Sequence, residues 1–389
     1  MLISLVGAPN KGKSTLFSAL TMNDVAIADY PFTTVDPNLG LAYATKPCAE
    51  TELKVKCKPR NSLCNNGTRM IPVNIVDVAG LVEGAHTGKG MGNQFLSDIS
   101  ASDAVIIVAD ISGKTDNNGN PATDANPVED VKIVIDELAQ WVAAIVKKHL
   151  NAISRRNDAM VALCEVLTNM KATAQQVESA AGTAALAMSK IHWTDQDILN
   201  FSRAFLKINK PIIIAANKSD TPASDKGLAL LKAEFGESNV VATSGAIELA
   251  LRKAAKQGLI DYFPGSQSFN FTGNVTPEQK AALEYMLKFV KEKGTNVQAL
   301  LNGAVFGTLA NIVVYPVEDE NKYCDHSGNV LPDAVLMRNG STAIDLAEKI
   351  HTDIAKNMLH AVDAKTKKRI AKQYPLQDGD VIRIVSAAR

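Results

Sequence analysis

Residues 7 to 15 read GAPNKGKST, and they stand between the apolar run LISLV (2 to 6) and the helix-spaced STLFSAL (14 to 20). A G-x-x-x-x-G-K-[ST] pattern held between a strand and a helix leaves few folds open. Its backbone N–H groups surround phosphate oxygens at the positive end of the following helix. Gly7, Ala8, Pro9, Asn10, Lys11, Gly12, Lys13, Ser14 and Thr15 are therefore candidate nucleotide contacts. Lys13 adds a cation that reaches the β and γ phosphates, and the Ser14 hydroxyl is placed for Mg²⁺.

A strand feeding such a loop belongs to a buried parallel sheet, and further apolar runs supply its neighbours. IPVNIVDV (71 to 78), AVIIVAD (104 to 110), PIIIAANKSD (211 to 220) and NVVATS (239 to 244) are continuous in Val, Ile and Ala. Runs of that kind suit strands covered on both faces, so a doubly wound, mostly parallel α/β sheet is expected. About a hundred residues separate AVIIVAD from PIIIAANKSD, far more than an ordinary crossover. Asn126-Pro127 opens a helix there, with Val131, Ile135, Leu138, Val142 and Ile145 on one face. Alanine-rich, helix-prone stretches follow at roughly 158 to 190 and 195 to 207, which places an inserted α-helical subdomain at 127 to 208. Thr276-Pro277-Glu278-Gln279 is a capping box and Gly294 a stop. From about 312 the chain reads as short strands with one helix (343 to 350) after the Gly340-Ser341 turn, then LQDGDVIRIVS, a compact α+β module. The expected division is thus 1–126 and 209–311 for the two parts of the nucleotide domain, 127–208 for the insertion and 312–389 for the terminal module. A length of 389 residues accommodates that many parts.

The base is indicated by NKSD (217 to 220) at the end of an expected strand. Asp220 can accept from the N1 and N2 donors of guanine, a pattern adenine lacks. Lys218 can lay its stem along the ring, and Asn217 can brace the phosphate loop. Ser244, Gly245 and Ala246 lie where a backbone N–H is needed for guanine O6. DVAG supplies Asp77 for Mg²⁺ and Gly80 for the γ-phosphate, and YPFTT (30 to 34) supplies a further metal ligand, Thr34 in preference to Thr33. Leu81 then stands where hydrolysis needs a water-orienting amide. His86, five residues on, is one group that could supply the missing stabilisation.

YPFTT, DVAGLVEGAHTGKGMGNQFL and NKSD together resemble the Obg family of translation-factor-class GTPases. The long helical insertion and AVLMRNGSTAIDLAEKIHTDI, which resembles a TGS domain of β-grasp fold, are similar to its YchF-related archaeal and eukaryotic branch. The resemblance covers essentially the whole chain. It implies a P-loop NTPase domain that binds GTP and GDP with Mg²⁺, hydrolyses slowly, and associates with ribosomes or RNA. It also implies that the side-chain oxygen of Asn10 can hold K⁺ beside the phosphates. Some YchF relatives lack the NKxD aspartate and prefer ATP, whereas Asp220 is present. Gly245 replaces a common alanine, a change expected to loosen the loop at little cost. An ATP-preferring hydrolase and a nucleotide-sensing module with negligible turnover remain the alternatives.

Charge and cysteine content restrict the partners. Lys plus Arg equals Asp plus Glu at 41 each, so no net field steers the chain to DNA, and any RNA patch must be local. One such patch is KTKKR (365 to 369), in a stretch (335 to 389) with ten Lys/Arg against six Asp/Glu. No apolar run approaches the roughly 18 residues of a bilayer span, and MLISLV lacks a basic leader, so neither membrane nor secretion is expected. Five cysteines without a CxxC pair suggest reduced thiols and a cytoplasmic location. Cys48, Cys57 and Cys64 crowd one stretch near His86, but their spacing fits none of the usual zinc pairs, so no metal is expected there.

Overall fold

The apolar runs form strands where the spacing places them. In the computed structural model, which describes residues 1–21, 38–78, 84, 98–156, 158–188 and 191–387, the strands are β1 (Leu2–Val6), β2 (Leu39–Pro47), β3 (Leu63–Asn65), β4 (Thr68–Asp77), β5 (Ala104–Asp110), β6 (Ile212–Asn217), β7 (Val240–Thr243), β8 (Ile260–Asp261), β9 (Asn270–Phe271), β10 (Asn311–Val317), β11 (Val335–Arg338), β12 (Met358–Asp363), β13 (Lys368–Ile370) and β14 (Val381–Ser386). Thr33, Thr34, Gly80, Leu81 and His86 lie outside the described residues. The chain divides into two compact units, one drawn from 1–21, 38–40 and 74–300 and the other from 41–73 and 301–387.

In the first unit the order is β4-β1-β5-β6-β7. All the pairings are parallel, with Ser4 opposite Val76 and Val105, Val108 opposite Ala215, and Ala216 opposite Ala242. Every residue of β5 is buried, as a strand covered on both faces requires. The helix Pro127–Ser154 starts where Asn126 accepts from the Val128 N–H at 3.1 Å, with Pro127 in the first turn. Val131, Leu138 and Val142 on its inner face are fully buried. Helices Ala159–Val166, Ala174–Thr183 and Asp195–Asn209 follow, the last two opened by capping boxes at Thr173 and Thr194. The helix-prone stretch 158 to 190 is interrupted at Lys171, which adopts φ 55°. The insertion shares one buried cluster with the sheet, in which Val105 and Ile107 join Val131, Phe201 and Phe205. Beyond β7, the Thr276 capping box opens Pro277–Glu292, and Gly294 closes it at φ 72°. No described helix is long and apolar enough to cross a membrane.

The second unit carries a mixed sheet, β11-β10-β14-β12-β13, with β10 parallel to β14 and the other pairs antiparallel. Its helix Ala343–Ile350 packs Ala343, Leu346 and Ala347 against Ile312, Val314 and Ile382. A helix packed on a mixed sheet is the α+β arrangement expected of the terminal module. Residues 41 to 73, which the sequence reading includes in 1–126, fall in this unit, and part of that stretch is bonded to the terminal module. Lys58 and Arg60 donate backbone N–H groups to Val330 and Pro332 at 2.8 and 2.7 Å, and Arg69 Nη2 donates to the Leu331 carbonyl at 2.6 Å. Bonds between residues some 270 positions apart leave no local pattern.

Candidate nucleotide site

The C-terminal ends of β1, β4, β5, β6 and β7 carry Gly7, Asp77, Asp110, Asn217 and Ser244, and β1 lies between β4 and β5 in the sheet. That edge of a parallel sheet is where an open α/β fold binds ligand. From Gly7 the chain turns into α1 (Lys13–Thr21). A Cβ on Gly7 would stand 2.5 Å from the Val108 carbonyl oxygen, and one on Gly12 (φ 91°) 2.4 Å from Asn217 Nδ2. Only glycine lets the loop lie this close to β5 and β6. Asn217 braces the loop as expected, donating Nδ2 to the Lys11 carbonyl at 3.1 Å, while its Oδ1 accepts from Gly245 N–H at 3.1 Å.

Lys13 is buried beside the loop, with Nζ 3.4 Å from the Ala8 carbonyl, and burial lowers its pKa against the opposing pull of Asp77. A partly desolvated ammonium in a cradle of N–H groups suits phosphate oxygens. Ser14 Oγ donates to Asp77 Oδ2 at 2.8 Å, and Asp77 Oδ1 is buried with no partner among the described residues. A hydroxyl and an orphaned carboxylate oxygen side by side fit a hard, oxygen-seeking cation such as Mg²⁺.

The residues of NKSD and of 244 to 246 converge as well. Asp220 Oδ1 accepts from Ser244 Oγ at 2.6 Å, and the same Ser244 oxygen caps the helix Gly245–Lys256 by accepting from Ile247 N–H. The Ser244 N–H is donated to Thr295 and that of Gly245 to Asn217. Among the described residues, the Ala246 N–H is the member of this trio left without such a bond. Gly245 is closely approached by its neighbours. A Cβ there would sit 3.3 Å from Leu16 Cα, so glycine lets this helix close on α1. Thr15, in the first turn of α1, is half-buried.

Asp110, Ser112, Thr115, Gly119 and Asp130, which support the loop, escaped the sequence reading. Lys218 (φ 69°) donates Nζ to the Asn10 carbonyl at 3.0 Å and pairs with Asp110 at 2.7 Å. Burial raises the Asp110 pKa, but bonds from Lys218, Ser112 and Thr115 outweigh it and hold the carboxyl below its ordinary range. Asn10 (φ 61°) donates Nδ2 to Gly119 at 2.8 Å. Lys11, a loop residue expected to act through its backbone, points its ammonium inward, to Asp130 at 2.8 Å and the Thr115 carbonyl at 2.9 Å, both charges being almost wholly buried. Burial pushes the Asp130 carboxyl up in spite of Lys11. Only the Lys11 backbone remains for nucleotide. Gly84, in the stretch that follows Asp77, donates its N–H to Glu137 of the insertion at 2.6 Å. The one sequence signal for this shell is the D-x-S turn after β5, where Asp110 accepts from Ser112 N–H.

The KTKKR run is partly engaged within its own unit. Lys365 pairs with Glu52 at 2.5 Å, and Lys367 lies over the Tyr323 ring at 4.5 Å while donating to the Glu320 carbonyl. Lys368 and Arg369 are exposed on β13.

A profile described as a 50S ribosome-binding GTPase matches residues 2–154, one for the G4 motif-containing domain of YGR210-like Obg-like GTPases matches 215–319, and the TGS domain matches 327–386. The chain is 47% identical to the uncharacterized GTP-binding protein MJ1332 of Methanocaldococcus jannaschii over the full length of both. It is 25% identical over 98% of both chains to the ribosome-binding ATPase YchF of Buchnera aphidicola. The crystal structure of a GTP-binding protein from Pyrococcus horikoshii superposes with a TM-score of 0.81 at 36% identity, covering both chains completely.

Proposed function

The chain belongs to the YchF-like, Obg-family GTPases, and on that premise we propose that it is a Mg²⁺-dependent, GTP-selective switch with slow intrinsic hydrolysis, acting on a ribosome or RNA partner. One observation carries the choice of base. Asp220, present in NKSD, is oriented by Ser244, while Asn217 and Lys218 of the same motif fasten the phosphate loop. A carboxylate so held matches the N1 and N2 donors of guanine and disfavours adenine, whose edge would leave the acceptor unpaired.

Ser14 and Asp77 would hold Mg²⁺, with Thr34 as the further ligand. When bound, the ion neutralises charge between the β and γ oxygens. Lys13 and the loop N–H groups bind and orient those phosphates, and the Gly80 N–H meets the γ-phosphate. Leu81 can neither orient water nor donate, so turnover is slow, and the missing stabilisation has to come from elsewhere. Asn10 donates through its amide nitrogen to Gly119, which keeps its oxygen as an acceptor for K⁺. His86 is the competing source. The Gly84 to Glu137 bond supports a route by which the nucleotide state reaches the helical insertion. The profile named for ribosome binding, the TGS module and exposed Lys368 and Arg369 support the partner class.

The test is GTP hydrolysis by the full chain in matched chloride salts. Slow turnover that needs Mg²⁺, rises in K⁺ over Na⁺ and loses that rise in Asn10→Ala is expected. Equal rates in both salts, with Asn10→Ala unchanged and His86→Ala inactive, would move the role to His86.

A further inference from the structure

Three cysteines that share no motif meet in the second unit. Cys48 precedes helix α2 (Ala49–Leu53), at the position where Ser, Asp or Asn would cap it, yet its side chain makes no capping bond. Glu50 lies in the first turn, Cys57 in the loop that follows, and Cys64 on β3. The three Sγ atoms and a Glu50 carboxylate oxygen all fall within 4.8 Å of one another. Glu50 Oε2 accepts from Cys57 N–H at 2.9 Å, and Oε1 accepts from the Cys64 thiol at 3.3 Å.

Burial makes this arrangement need an explanation. Cys48 is 3% exposed and Glu50 8% exposed, while Cys57 and Cys64 are half-buried. Cysteine packs well as a small apolar residue, but a carboxylate is costly to bury without a cation. A Cys57–Cys64 disulfide would leave Cys48 and Glu50 without a purpose. A divalent cation set among these four groups would displace the thiol protons and give the carboxylate its counter-charge.

Three sulfurs and one oxygen form a closed four-ligand shell of the kind zinc takes in structural sites. Zn–S bonds of about 2.3 Å and Zn–O bonds of about 2.1 Å call for tetrahedral edges of roughly 3.5 to 3.8 Å, so the shell closes by about 1 Å. Fully bound, three thiolates and a carboxylate leave two negative charges over. Arg69, fully buried, places Nη1 4.0 Å from Cys48 Sγ and has an Nε with no partner among the described residues. The same guanidinium holds the Leu331 carbonyl, so the site would tie the 48–64 segment to the terminal module within this unit.

We propose that Cys48, Glu50, Cys57 and Cys64 are the ligands of a structural Zn²⁺ site, with Arg69 as its counter-charge. The test is metal analysis of the full chain purified under reducing conditions after growth with zinc. One zinc per chain that survives dialysis is expected, falling to none in Cys57→Ser and Cys64→Ser and unchanged in Cys164→Ser. Replacing zinc by Co²⁺ in the wild-type chain should give tetrahedral visible bands and thiolate charge transfer in the near ultraviolet, a readout independent of whether the variants fold. Wild-type protein that carries no zinc and shows no such cobalt spectrum, or a mass two hydrogens low from a Cys57–Cys64 disulfide, would overturn the proposal.

Discussion

The phosphate loop and the thiol cluster both gather donors of the kind a cation takes, and they differ in nearly every other respect. At the first, oxygens from Ser14 and Asp77 stand 2.8 Å apart, a hard pair that suits Mg²⁺ and leaves most of the ion's shell to water and phosphate. At the second, three sulfurs and a carboxylate surround one point, a soft and complete shell. An open shell exchanges its contents with the nucleotide, whereas a closed one holds a fold. The two sites lie in different units and are expected to fail separately.

The largest effect that sharpens this contrast comes from Lys13→Ala. Losing the preorganised cation at the phosphates should lower hydrolysis by about 10²- to 10³-fold. Zinc content, read by metal analysis on the same preparation, should not change. A parallel loss of zinc would show that the units do not behave independently.

Next is Asp130→Ala, which leaves the Lys11 ammonium buried without its partner. Removal of one member of a buried pair costs about 3 to 5 kcal/mol, so urea unfolding followed by Trp fluorescence should shift to markedly lower denaturant. Both tryptophans, Trp141 and Trp193, report on the first unit. If the midpoint stays where it is, the pair does not brace the loop.

The smallest effect is a pH dependence. Asp110 has a folded pKa below its ordinary 3.8. Its bonds to Lys218, Ser112 and Thr115 therefore contribute stability above the unfolded value, and that contribution disappears as pH falls through the folded one. Asp110→Asn should lower stability at neutral pH and narrow its difference from wild type in acid. Denaturant midpoints at both pH values give the answer, and a difference that grows in acid would contradict it.

The same contrast explains what could be read from the sequence. GAPNKGKST was legible because phosphate binding draws on consecutive backbone N–H groups and so leaves a contiguous signature. Asn217 and Asp220 followed from their place after a buried strand. The supports were not legible. Thr115, Gly119 and Asp130 reach Asn10 and Lys11 from over a hundred residues away, and nothing local marks Lys11 as an interior cation. Gly245 read as a flexible residue because its close approach to Leu16 depends on how two helices pack. Cys48, Cys57 and Cys64 read as a crowded stretch without zinc spacing because their meeting point is set by a helix start, a loop and a hairpin in combination. The helical insertion was visible from its spacing, but not its sharing of one core with β5.

The central claim is that this chain selects guanine through Asp220. Calorimetric titration of the wild-type chain and Asp220→Ala with GDP and ADP in Mg²⁺ tests it most directly. The wild type should bind GDP about 5- to 150-fold more tightly than ADP, since leaving the carboxylate acceptor unpaired costs about 1 to 3 kcal/mol. Asp220→Ala should lose most of that preference while still binding phosphate through Lys13 and the loop. Equal affinities for GDP and ADP in the wild type, or a preference that survives in Asp220→Ala, would contradict the account.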